Sequence, residues 1–295
     1  AGFFVVMMTG TMGDKGGAVS PTGVSEVVQL LAAVPHRRLS RIHVDGRSVW
    51  IKRFDTEKPT LPRRLHGALS PLLPAAYLRA TPVLDAAGLT QREIRKSAAF
   101  QAAGFQTPAI LWHGREALAL SDVAQTGEPL LEQMRQNDPA KHEDLLVSLT
   151  ETLGKAHAAG LCHGRPHPRD MFFLADGSWG FFDFEEEPEV VMPLASAQAR
   201  DVWLMFMQIS SRALGRETKI RAFNAWRAQA PAQILPELHR IVAGFSLLLP
   251  GLKALRKIHL GSDGKRLLAA TSFLRAALRD TIADHSTPDQ IGTPT

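Results

Sequence analysis

The chain has 295 residues, 45% apolar and 21% charged, with 34 basic residues against 29 acidic ones and a net charge of +5. This is a globular composition, long enough for two packed lobes or one large domain, and it excludes a disordered or fibrous chain. A single cysteine, Cys162, leaves no internal disulfide and fits a reducing cytoplasm; one tyrosine and no nucleic-acid-binding motif argue against nucleic acid as a partner.

Taken in chain order, AGFFVVMM is too short for a membrane span and lacks the basic lead of a signal peptide. The Gly/Ser/Thr-rich stretch after it makes residues 1–23 a flexible leader, with Met12 a candidate natural start. SEVVQLLAAV (25–34) has helical spacing. RLSRIHV and RSVWIKRF alternate on either side of Asp45-Gly46, the strongest hairpin signal in the chain. Residues 60–80 carry three prolines and read as short, broken helices. TQREIRKSAAFQAAGF (90–105) is a helix stopped by Gly104, and 107–127 reads as two short strands turning at HGRE. EPLLEQMRQ starts another helix, and 141–160 is an amphipathic helix stopped by Gly160. A loop and a small strand pair around ADGS follow, then helices at 196–214, 218–229, 234–248 and 265–284 and a loose tail, 285–295. A sheet-rich half before a helix-rich half predicts an α+β fold with two lobes, 24–125 and 126–284, parting where AQTG breaks the pattern.

Several side chains could carry chemistry. Lys52 lies in the apolar strand VWIKRF on the face of Trp50 and Phe54, where an ammonium either meets an anion or snorkels to an edge. Thr90-Gln91-Arg92-Glu93 reads as a capping box, so Glu93 is either a cap or an ion-pair partner. Asp183 closes the apolar run WGFF, a place for a metal-binding carboxylate or a plain turn aspartate; the acidic run Glu185–Glu187 reads as a solvated loop. The loop LCHGRPHPRD gathers His163, Arg165, His167 and Asp170. Pro166 and Pro168 break the helix that a zinc pair of His163 and His167 would need. Cys162 beside His163 makes a poor nucleophile–base pair, because chain neighbours rarely point together.

In this order the motifs resemble those of the protein-kinase-like superfamily, in particular the bacterial lipopolysaccharide kinases for Kdo and heptose, with RIO-like and aminoglycoside-phosphotransferase-like relatives. The resemblance spans residues 38 to 205. VWIKRF matches the lysine strand, EIRKSAAFQAAGFQTPAIL the helix whose glutamate pairs with that lysine, ALSDVAQTG the hinge, HGRPHPRD the catalytic loop, FFDFE the metal-binding Asp-Phe-Gly position and ARDVWLMF a later helix. It implies a two-lobed fold with Lys52 on the phosphates of ATP, Glu93 paired with Lys52, Asp122 as a nucleotide contact at the hinge, Asp170 and Asp183 as Mg²⁺ ligands, and Asp201 as a buttress of the catalytic loop. The implied activity is phosphoryl transfer from ATP to a hydroxyl-bearing acceptor, a lipopolysaccharide-core sugar or other glycolipid among the candidates, in the cytoplasm or at the inner membrane face. The basic, proline-rich segment 58–80 would add weak, salt-sensitive binding to anionic membranes.

The departures from the pattern bear on activity. No glycine-rich loop precedes Lys52, and the basic run PHRRLSR (35–41) stands in that region. Arg165 replaces the catalytic aspartate, Asp170 the metal-binding asparagine and Glu185 the glycine after Asp-Phe. Phosphoryl transfer depends mostly on positioning and charge stabilisation, and a positioned base adds about 10²- to 10⁴-fold, so the loss slows a kinase without abolishing it. His167 or Asp170 could stand in as base, Arg165 could hold an acidic acceptor, and Arg165 and Asp170 look like a compensated charge pair. The alternative is a pseudokinase that binds nucleotide or a partner without transfer, and a third reading is another transfer from ATP such as adenylylation.

Overall fold

A computed structural model describes residues 37–44, 46–56, 75–123, 125–247, 249–251 and 261–285, with Gly23, Ser25, Gln29 and Ser70 as isolated positions. The leader, most of the 25–34 helix, Asp45, the greater part of segment 58–80, Ala124 in the hinge stretch and the tail lie outside the described residues. The chain divides into two compact units, Ala1–Glu57 with Pro108–Asp122, and Lys58–Thr107 with Val123–Thr295.

The first unit is the sheet. Strands β1 (Leu39–Val44) and β2 (Arg47–Arg53) form the expected hairpin, and Gly46 adopts φ +71, which a side chain rarely tolerates. β3 (Ile110–His113) and β4 (Ala117–Ser121) turn at HGRE as read from sequence. All pairings are antiparallel in the order β1-β2-β4-β3. Alternation puts Ile42, Val44, Val49, Ile51 and Ala119 on one face, where they form the unit's apolar cluster with Leu111 and Trp112. Lys52, opposite Leu118 on the other face, is also buried, with Nζ 5.3 Å from the centre of the Phe54 ring.

The second unit is mostly helical. Helix α1 spans Ala86–Ala102, α2 Gly127–Asn137 and α3 Pro139–Ala158. Hairpin strands β5 (Met171–Phe173) and β6 (Trp179–Phe181) follow, then α4 (Leu194–Arg212), α5 (Arg216–Gln229), α6 (Ile234–Ser246) and α7 (Ser262–His285). Asp138 caps α3 by accepting from Lys141 N at 3.0 Å, Pro139 occupies its first turn, and Gly160, at φ +75, ends it. Leu146, Leu149 and Leu153 on α3 pack with Val202 and Phe206 of α4 and Trp226 of α5 in one continuous core. Each such side chain contributes about 1.5–3 kcal/mol by leaving water. The architecture is α+β, a small antiparallel sheet with a helical remainder, as the element order predicts.

Two details differ from the sequence reading. Helix α1 begins four residues before Thr90, because Asp85 takes the cap and accepts from Gly88 N at 2.8 Å. Thr90 lies inside the helix with its hydroxyl on Ala86 O, so Glu93 closes no capping box. Second, α1 belongs to the helical unit, and the division falls at Asp122/Val123. The reason is ionic: Lys96 bonds Glu189 at 2.8 Å, Arg95 bonds Glu187 at 2.6 Å, and buried Arg92 donates to Glu185 O and to Pro82 O. At the described end of segment 58–80, a short helical turn at Ala76–Leu78 fits the broken helices expected there; the Tyr77 ring lies 5.9 Å from that of Phe245 on α6, and Arg79 donates to Val191 O at 3.3 Å. Among the described residues, no helix is long and apolar enough to cross a membrane.

Helix α3 lies so close to α5 that Gly154 has no room for a side chain: a Cβ there would sit 2.7 Å from Trp226 O and 3.0 Å from Gln229 Cβ. Alanine in place of a helix-interior glycine ordinarily stabilises by about 1 kcal/mol, but overpacking costs about 1–3 kcal/mol. The clash is with backbone, which cannot swing aside, so Gly154→Ala should lower stability. Urea unfolding of the variant should show a reduced midpoint, and an equal or higher one would contradict the packing.

Candidate functional site: the Leu161–Asp170 loop and Asp183

Asp201, on α4 and 0% exposed, organises the loop that leaves α3. One of its oxygens accepts from His163 N at 2.7 Å and from Cys162 Sγ at 3.3 Å; the other accepts from Gly164 N at 3.0 Å. His157 stands behind it: Nδ1 accepts from Trp226 Nε1 at 3.1 Å, which leaves the proton on Nε2, 3.7 Å from the Asp201 carboxylate. Burial pushes this carboxyl up, yet the rings of His157 and His163 and the charge of Lys96 together hold it below its usual value. Gly164 adopts φ +98, and a Cβ there would collide with the Glu186 carbonyl, so the turn requires glycine.

His163 carries the constraint onward. Its Nε2 donates to Phe182 O at 3.1 Å, and its ring packs against Phe100, Phe181 and Phe184. Burial lowers its pKa to about 4, so it is neutral. In turn Phe182 N donates to Asp170 O at 3.0 Å, continuing the β5–β6 register. This bond fixes Asp170 and Asp183, at the two ends of the hairpin, in one place. Asp170 is 5% exposed, and its pKa rises to about 7, first through burial and then through the charge of Asp183, against the charges of Arg169 and Arg165. Asp183 has φ +65, alone among the described non-glycine residues in the left-handed region. A side chain held there signals a functional constraint more often than chance.

A carboxylate close enough to raise the proton affinity of its neighbour could share a cation with it. Hard oxygen ligands suit Mg²⁺, which uses one or two carboxylates and fills its remaining positions with water and phosphate oxygens. The residues therefore fit the metal the resemblance implies, and among the described residues no cluster of three metal-ligating side chains offers a competing site.

Each remaining candidate has a definite place. Lys52 and Asp122 lie in the sheet unit; Glu93 lies with Arg165, His167, Asp170 and Asp183 in the helical one. Glu93 is buried in mid-helix, at 4% exposure. The Asp122 carboxylate accepts from Trp50 Nε1 at 2.7 Å and from Arg41 at 2.5 Å. His167 caps the Pro168–Asp170 turn, its Nδ1 accepting from Arg169 N at 3.0 Å, and burial lowers its pKa to about 4. It is a weak base with its acceptor nitrogen already engaged.

The expected Arg165–Asp170 pair does not form. Arg165 contacts Glu185 at 3.4 Å, and Asp170 receives Arg169 Nε at 3.3 Å, because the short Pro168–Asp170 turn brings Arg169 to its chain neighbour. Nor is Glu185–Glu187 a solvated loop. Glu186 bonds Arg200 at 2.6 Å, and Glu187 and its neighbour Glu189 bond the basic side chains of α1. A signal for this existed in the sequence, since Arg92, Arg95 and Lys96 recur at one-turn spacing and match the acidic run in charge. His157 was missed too, although it continues the apolar stripe Leu146-Leu149-Leu153.

No family model matches the chain, and no curated protein matches it. Among solved structures it is similar to a MAP kinase from Leishmania major, at 13% identity over 87% of each chain and a TM-score of 0.34. It is also similar to Rv3197 from Mycobacterium tuberculosis, solved with erythromycin, at 16% identity over 81% of this chain and 70% of that one, TM-score 0.36. A third is the Rio2 kinase of Chaetomium thermophilum in an ADP/Mg²⁺–phosphoaspartate complex, at 17% identity over 88% of this chain and 78% of that one, TM-score 0.38. At such TM-scores the likeness carries no argument by itself; the loop and its carboxylates do.

Two tests follow from the geometry. Asp201→Asn replaces a carboxylate oxygen by an NH₂ that faces N–H donors, so the loss should approach that of a broken buried pair, roughly 3–5 kcal/mol. Hydrogen exchange should show the His163 and Gly164 amides losing protection first. For His163, the folded pKa lies below the unfolded value near 6.5. The unfolded chain therefore binds the extra proton between pH 6.5 and 4, and stability falls as pH drops through that window. The fall attributable to His163 should reach about 3 kcal/mol, and His163→Gln should flatten the wild-type slope there; an unchanged slope would contradict a buried neutral imidazole.

Proposed function

We propose that the chain is an atypical kinase-like phosphotransferase that binds ATP with Mg²⁺. The supporting observation is the Asp170–Asp183 pair, held by the Asp201-clamped loop at the two ends of the β5–β6 hairpin. Bound between them, Mg²⁺ would neutralise charge on the transferring phosphoryl group. Asp170 and Asp183 orient it, and Asp201, through His163 and Gly164, keeps both carboxylates in register. On the resemblance, Lys52 is the phosphate contact, Glu93 its ion-pair partner, and Asp122, which accepts from Arg41 and Trp50, a nucleotide contact at the hinge. The same resemblance offers a lipopolysaccharide-core sugar or another glycolipid as acceptor, and a loose hold on anionic membranes through segment 58–80.

A second reading, a pseudokinase, has its own observation: a cation, Arg165, stands where the pattern has its base, and the His167 acceptor nitrogen is engaged. The transferase is favoured because Lys52, Asp170 and Asp183, which would position the phosphates and stabilise their charge, remain although the glycine-rich loop does not.

Saturating ATP with Mg²⁺ at about 100 times its dissociation constant should stabilise the fold by roughly 2.7 kcal/mol. Lys52→Ala and Asp183→Asn should each remove most of that gain. A titration with neither heat nor melting shift would end the nucleotide reading. ADP release then separates the two forms, since a pseudokinase shows the shift without turnover.

A further inference from the structure

Resting on the phosphotransferase reading, we propose that the attacking atom of the acceptor is already an oxyanion, a carboxylate or phosphate oxygen, and that Arg165 and Arg169 hold it beside Asp170. An alcohol must lose its proton on the way to the transition state and needs a lone pair to take it. The loop offers none in a suitable place. Arg165 has no acceptor. His167 Nδ1 accepts from Arg169 N, so its proton sits on Nε2. The one lone pair of neutral His163 lies on Nδ1, buried beneath the aromatic side chains around it. Glu185 is turned to Arg165, and Asp170 has one oxygen on Arg169 and, on the phosphotransferase reading, gives the other to Mg²⁺.

An oxyanion needs no base. Its difficulty is the reverse one, bringing negative charge up to a triphosphate, and an aspartate at position 165 would add to the repulsion. Two guanidinium groups remove it. Arg165 and Arg169 are 48% and 49% exposed, and the charges of both act on Asp170 in a loop stiffened by Pro166 and Pro168. Each carries five N–H donors. Each makes one long hydrogen bond, 3.4 Å from Arg165 to Glu185 and 3.3 Å from Arg169 to Asp170, with no other protein partner among the described residues. The planar fork that remains matches a carboxylate or a phosphate in two-point contact.

The step balances without a proton. The acceptor oxygen forms a bond to the γ-phosphorus as the bond from that phosphorus to the β,γ-bridging oxygen breaks, and ADP leaves with the electron pair. A carboxylate becomes an acyl phosphate; a phosphate monoester becomes a phosphoanhydride.

The test has two arms on the full chain. First, inorganic phosphate is titrated by calorimetry without nucleotide or metal at low ionic strength. Wild type should bind it, and Arg165→Gln and Arg169→Gln should each weaken binding roughly ten-fold, the worth of a charge-assisted hydrogen bond. Both substitutions are on exposed side chains, and an unchanged melting point confirms that the variants fold. Second, with ATP and Mg²⁺, a panel of carboxylates and phosphate monoesters is compared with the matching amides and alcohols. ADP should form with anions, hydroxylamine should trap any acyl phosphate as a hydroxamate, and Arg165→Asp should abolish turnover. Equal phosphate binding by wild type and variants, no binding at all, an alcohol accepted as well as the anions, or a gain of activity in Arg165→Asp would overturn the proposal. If ATP with Mg²⁺ binds but no anion binds or accepts, this inference alone falls; if the nucleotide fails to bind, the phosphotransferase reading falls first.

Discussion

The buried carboxylate of Asp201 is the constraint on which the rest of the site depends. A lone carboxylate moved out of water costs several kcal/mol unless hydrogen bonds replace the lost hydration. Here the replacements are the His163 and Gly164 amides and the Cys162 thiol, with the His157 ring close by. The two amides are loop backbone, so satisfying Asp201 fixes the chain path from residue 162 to 164. Gly164 is required because the path passes through positive φ against the Glu186 carbonyl. His163 then reaches Phe182 O, and Phe182 N reaches Asp170 O. The two carboxylates are placed by a relay of backbone contacts that starts from one buried charge on α4.

A second ionic system holds the other side of the same segment. Residues 185–189 follow Asp183 directly, and the α1 cations grip them through both carbonyl and carboxylate oxygens. Surface ion pairs are worth little, but Arg92 and Lys96 are 2% and 5% exposed, and buried groups cannot lose a partner cheaply. This is why α1 travels with the helical unit instead of the sheet that precedes it. The helix bearing Glu93 and the segment bearing Asp183 are thereby parts of one body.

How much of this could be read in the sequence follows from the range of each interaction. The β1–β2 hairpin, the ends of α3 and the hairpin around Gly177 are set by local period and by glycines at positive φ, and they were legible. The pair Asp170 and Asp183 was legible through motif order, and Asp201 with them. The start of α1 was not, because Asp85 and Thr90 both satisfy local capping rules and tertiary packing decides between them. The partners of Arg165 and of the acidic run were not either. A sequence shows which charges exist, whereas the pairing of residues 20 or 90 positions apart is set by where the backbone has already been placed.

Arg165 and Glu185 bear on whether the site decayed or was rebuilt. They occupy two of the positions where the chain departs from the kinase-like pattern, and they touch each other. Had only the aspartate been lost, an arginine would face a glycine with nothing to orient it. Had only the glycine been lost, an extra carboxylate would crowd Asp170 and Asp183, where burial and then the charge of Asp183 already raise the Asp170 pKa to about 7. Together the two changes exchange one negative charge for a neutral pair, leaving the carboxylates no more repelled than before. The backbone agrees: Asp183 adopts positive φ, but Glu185 does not, so the position after Phe184 has lost its need for glycine. Random loss of a catalytic residue does not arrange a charge partner and a compatible backbone at a second position. The arrangement is that of a loop shaped around an arginine and its carboxylate partner.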